Sequence, residues 1–146
     1  MTGTDFLNIA IGTIFTVEIA LGLMIIFGVM GVINMAHGEF FMLGAYFMVV
    51  ITGAGLNPWV GIILAPIVLG AFGMAVERLM IRPLYQRGDL SSLLVTFGLS
   101  IVLQQTVRLV FGPQSRTVPM PVEGSMQILG TTYPTYRVVA AAIALV

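Results

Sequence analysis

Charge is scarce in this 146-residue chain: charged residues make up 8%, against about 25% in soluble domains. So little charge cannot cover a water-facing surface, which excludes a soluble globular protein. The net charge is zero and all six basic residues are Arg, so no basic surface is available for a nucleic acid. Cysteine is absent, excluding disulfides and thiolate metal sites. There is one histidine, and His37 with Glu39 supplies only two metal ligands, so neither a metal nor another cofactor is expected. No Walker A, HExxH or GxSxG sequence occurs, which argues against an enzyme. No basic n-region precedes the first apolar run, so the first span is expected to be retained rather than cleaved as a signal peptide.

What the chain does contain is apolar. Hydrophobic residues reach 58% and the mean hydropathy is +1.06. Its outer surface is therefore expected to meet lipid. Glycine is frequent, at 17 residues, and small residues let transmembrane helices approach closely. Gly61/Ala65 and Ala71/Ala75 have the matching spacing. The apolar stretches are continuous and near span length, unlike the alternating strands of a barrel. The expected fold is all-α, a single polytopic transmembrane helix bundle over 1–146.

Charges and turn signals divide the chain. Residues 6–36 carry one ionisable residue, Glu18, and residues 40–76 carry none. Gly53-Ala-Gly-Leu-Asn-Pro58 places a turn inside the second block, giving spans near 40–56 and 58–80. A polar connection holds Glu77, Arg78, Arg82, Arg87 and Asp89. A further span runs from about Leu90 to Phe111, ended by Gly112-Pro113. Residues 114–134, rich in Pro and Gly, read as an external loop. A fifth span begins near Pro134, but Val138–Val146 is nine residues where a crossing needs about 20. About four complete spans and a truncated fifth are expected, with the domain incomplete at its carboxyl end. The Arg78–Arg87 cluster puts that connection in the cytoplasm and the amino terminus outside, whereas the 112–137 loop has only Arg116 and Arg137.

One apolar run is interrupted at Asn34, His37, Gly38 and Glu39. Two readings follow. Asn34 could cap a helix at the membrane surface, with Glu39 in the first turn against the helix dipole. Alternatively, a broken helix exposes backbone along a solute path, where irregular backbone is tolerated at membrane depth. Glu18, inside a span, is costly unless paired or functional. Glu77, Arg78, Arg82 and Arg87 suit interfacial anchors that fix topology. Gln104 and Arg108 share a helix face, and Gln104 is expected to bond between helices or face the pathway.

Ile33-Asn-Met-Ala-His-Gly-Glu39 followed by Met42-Leu-Gly-Ala-Tyr46 resembles the signature of the branched-chain amino-acid ABC permease family. Ala20-Leu-Gly-Leu23 and Ile26-Phe-Gly28 precede it in the same order. Glu77-Arg-Leu-Met-Ile-Arg-Pro-Leu84, Thr96-Phe-Gly-Leu-Ser-Ile-Val-Leu-Gln104 and Phe111-Gly-Pro113 follow it. The resemblance implies a permease subunit of the bacterial inner membrane, with Asn34, His37, Gly38, Glu39 and Gln104 along the substrate path. It implies a second permease subunit, ATPase subunits on the cytoplasmic face and a periplasmic solute-binding protein as partners. Urea or short amides are the competing substrates within the family, and an energy-independent channel is the competing class. Glu18 departs from the pattern, and the family's ATPase-contacting segment is expected beyond Val146.

Overall fold

The computed structural model describes residues 3–114, 118, 122, 124–128 and 130–144. Arg116, counted above in the external loop, lies outside them. The helices are α1 (Gly3–Met30), α2 (His37–Gly53), α3 (Pro58–Val76), α4 (Asp89–Phe111) and α5 (Thr135–Ala144). Among the described residues, three helical stretches are long and apolar enough to cross a membrane: Gly3–Val29, Pro58–Leu84 and Leu90–Phe111. α2 and α5 are shorter apolar helices. These helices fit a multi-pass membrane protein, and α2, 17 residues long after the unwound residues 31–36, overlaps the span expected at 40–56.

The chain forms two compact units, Ile25–Pro119 and a second made of Met1–Met24 with Met120–Val146. In the larger one, α2 and α3 form an antiparallel hairpin. Its turn lies where Gly53–Pro58 places it: Gly55 has φ +77°, the Asn57 side chain accepts from Trp59 N at 3.0 Å, and Pro58 opens α3. Glycines set the close approach. A methyl group on Gly61 would lie 2.5 Å from Met48 Sδ, and one on Gly73 would lie 3.3 Å from the Phe40 ring. α3 runs on through a π-helical turn, Glu77–Ile81, and a 3₁₀ turn, Arg82–Leu84, before Gly88 (φ +86°) leads into α4.

α4 runs parallel to α2. Met35 bonds Thr96, Glu39 bonds Ser100, and the Tyr46 ring lies 4.6 Å from that of Phe111, so both chains advance in the same direction. Val32, Ala36, Val76, Ile81, Leu99 and Leu103 make the core of this unit, with Met42 and Leu43 packed against it.

The smaller unit adds a short β-hairpin to a mostly helical chain. Within the stretch read as loop, β1 (Ser125–Ile128) and β2 (Thr131–Pro134) pair antiparallel, turning at Gly130 with φ +74°. Tyr133 is 1% exposed and its hydroxyl donates to Asn8 Oδ1 at 2.8 Å; Arg137 Nη1 donates to the same atom at 2.9 Å. A buried aromatic with a bonded hydroxyl anchors what composition alone describes as a polar loop.

Candidate functional site

The interruption at 31–36 is held deep against α4. Thr96 is fully buried, and its hydroxyl accepts from Met35 N at 3.1 Å while lying 3.2 Å from the Ile33 carbonyl. Thr96 is seven residues into α4, which at 1.5 Å per residue is roughly 10 Å along the helix. Val32 and Ala36 are buried beside it, at 4% and 0% exposure. The break is therefore packed inside the helical layer.

Asn34 does not cap α2. The helix starts at His37 with Ala36 at the cap position and no side-chain cap bond. Asn34 instead closes a local turn, its Oδ1 accepting from Ala36 N at 3.0 Å and its carbonyl accepting from His37 N at 3.2 Å. An Asx turn competes with capping for the same oxygen, and here it shapes the unwound segment.

Glu39 reaches the middle of α4. Its Oε1 accepts from Ser100 Oγ at 2.6 Å and from Gln104 Nε2 at 2.8 Å. Ser100 is the twelfth of the 23 residues of α4, its midpoint. A carboxylate at the centre of an apolar span is costly unless bonded. Both bonds fall on one oxygen; among the described residues Oε2 carries none, and it is not buried. Glu39, Met42, Tyr46, Gln104, Val107 and Arg108 line a cavity of about 490 Å³ that extends toward Gly112 and Pro113.

A second cavity of about 490 Å³ lies toward the Arg-bearing connection. It is lined by Asn34, His37, Phe40, Gly73 and Glu77 among apolar residues. His37 Nε2 is buried with no hydrogen-bond partner, and its ring stands edge-on to Phe41 at 5.4 Å. No group of three metal-ligating side chains occurs among the described residues.

Of the residues singled out in the sequence, Glu39 and Gln104 meet directly, and Asn34 and His37 share the other cavity. Gly38 is exposed, with open space where a side chain would go. Glu18 is exposed on α1. Arg78, Arg82 and Arg87 are exposed, and Glu77 accepts from Tyr85 Oη at 2.8 Å. Sequence reasoning missed Thr96 and Ser100. Their signal was present: Ser92, Thr96, Ser100, Gln104 and Arg108 recur every four residues, a polar stripe along one face of an apolar helix.

Residues 6–146 match the family described as branched-chain amino acid transport system / permease component. The high-affinity branched-chain amino acid transport system permease protein LivH of Salmonella typhimurium is 35% identical over 125 residues, covering 80% of this chain and 40% of the relative. LivH of Escherichia coli is 34% identical with the same coverage. The high-affinity branched-chain amino acid transport system permease protein BraD of Pseudomonas aeruginosa is 34% identical over 116 residues, or 73% of this chain and 38% of the relative. The chain thus spans about 40% of the length of these curated relatives. No solved structure matches it.

Proposed function

Since this chain belongs to the branched-chain amino acid transport permease family, we propose that it forms part of the translocation path of an ABC importer for those amino acids. It is a permease component and not an enzyme. ATP hydrolysis resides on separate ATPase subunits, a second permease subunit completes the path, and a periplasmic solute-binding protein delivers the solute. The setting is a bacterial inner membrane.

The observation that carries this reading is the Glu39 carboxylate, held at the midpoint of α4 with both bonds on one oxygen, in the lining of a cavity. A purely structural acid would be expected to satisfy both oxygens, given what an unpaired charge costs in an apolar span. Glu39 sits just after an unwound segment, the arrangement by which spanning helices present polar groups to a solute without facing lipid. Asn34 and His37 line the cavity nearer the Arg-bearing connection, so polar groups lie on both sides of the buried tether at Thr96.

The test uses the complete permease with its partners in proteoliposomes. ATP-dependent leucine accumulation is expected, reduced by Glu39→Gln and by Asn34→Ala at normal assembly. Accumulation without ATP would identify a channel instead. Normal uptake in both variants would remove these residues from the path.

A further inference from the structure

The cavity between α2 and α4 carries opposite charges that do not meet. Glu39 and Arg108 both line it, yet no hydrogen bond or ion pair joins them among the described residues. Gln104, which positions Glu39, precedes Arg108 by one helical turn, a rise of roughly 5.4–6 Å. Glu39 is half-buried and Arg108 exposed, so both charges face the cavity and neither neutralises the other. Their separation by a turn leaves a gap with an acceptor at one end, Oε2, and a guanidinium fork at the other. Met42, Tyr46 and Val107 line the same cavity. A volume of about 490 Å³ falls within the usual range for small-molecule sites.

The geometry points to a binding site for a zwitterionic α-amino acid with an aliphatic side chain. The Glu39 carboxylate takes the ammonium, Arg108 takes the carboxylate as a fork, and the side chain lies on Met42 and Val107. Charge-assisted bonds of about 2.8 Å at both ends bridge the gap that the protein leaves open. A neutral amide or urea carries neither charge and leaves both ends unpaired, so the site discriminates against it. This assignment rests on the translocation-path reading and deepens it.

The test is leucine uptake by the complete permease with its partners, in wild type, Arg108→Gln, Arg108→Lys and Met42→Phe, at matched membrane abundance. Arg108→Gln is expected to lower uptake about tenfold or more, the value of a lost charged hydrogen bond, while Arg108→Lys retains a substantial part. Met42→Phe narrows the wall and is expected to raise KM for leucine more than for valine. Wild type that accumulates no leucine would overturn the translocation reading itself. Wild type that accumulates leucine while Arg108→Gln does so equally well would overturn only the zwitterion site. Should Arg108→Gln fail to reach the membrane, Met42→Phe decides, and equal KM changes for leucine and valine would overturn the site.

Discussion

Thr96 Oγ1 accepts from Met35 N across 61 residues of chain, tying the unwound segment to the body of α4. A hydroxyl has one proton, and the nearest carbonyl is that of Ser92 at 2.9 Å, with Leu93 and Ile33 each at 3.2 Å. The same atom therefore serves its own helix and the break at once.

Thr96→Val removes the acceptor and leaves the part-buried Met35 N–H without its bond. The expected cost to the complete permease is roughly 1 kcal/mol, that of a lost neutral hydrogen bond. Thr96→Ser keeps the hydroxyl and should stay nearer wild type. Unfolding midpoints in detergent give the measurement, and a Thr96→Val midpoint equal to wild type would show that the tether stabilises nothing.

The Arg78–Asp89 connection is expected in the cytoplasm and the β-hairpin outside, from the clustering of Arg78, Arg82 and Arg87. Gly88 makes a poor reporter, since its φ of +86° strains any side chain placed there. Gln86→Cys and Ser125→Cys are both at exposed positions. With an impermeant thiol reagent on intact cells, only position 125 should label, and labelling at 86 alone would invert the topology.

Tyr85, just after the Pro58–Leu84 stretch, donates to Glu77 Oε1 at 2.8 Å. Burial raises its phenol above the ordinary 10.0, and the hydrogen bond and negative charge of Glu77 add to this, while Arg82 opposes it. A raised folded value means that the stabilisation is complete below pH 10.0 and is lost as pH rises through the folded value. Tyrosinate absorbance should place this residue's ionisation above that of a free tyrosine, and Glu77→Gln should lower it. An unchanged titration would show that Glu77 does not act on the phenol.

Much of this was legible from the sequence. The turn at Gly53–Pro58 and the helix end at Gly112 follow from Gly, Pro and polar punctuation in apolar runs. The interruption expected at Asn34–Glu39 falls three residues earlier, at 31–36, because His37–Glu39 already lie in α2. The partners of the break were harder to see. Thr13, Thr16, Thr52 and Thr106 bond the carbonyl four residues back, as threonines in apolar helices commonly do. Thr96 does the same, and only the chain packed over it adds a second role. The capping reading of Asn34 failed because its side chain serves a turn two residues on as readily as a helix start. The hairpin was obscured by the many Pro and Gly residues around strands of four residues each, and its anchor Asn8 lies more than 120 positions away.

The π-helical turn at Glu77–Ile81 acts as a one-residue shim. Such a turn holds about one residue more than an α-helical turn of the same height. Deleting Leu79, which is 76% exposed, would let the turn relax to α-helix without emptying the core. Everything after it would then keep its facing relative to α3, because the extra residue is absorbed within that one turn. Val76, Glu77 and Ile81, which line the same cavity, would all stay in register. Sequence alignments across this stretch therefore require a one-residue gap wherever a relative carries an uninterrupted α-helix.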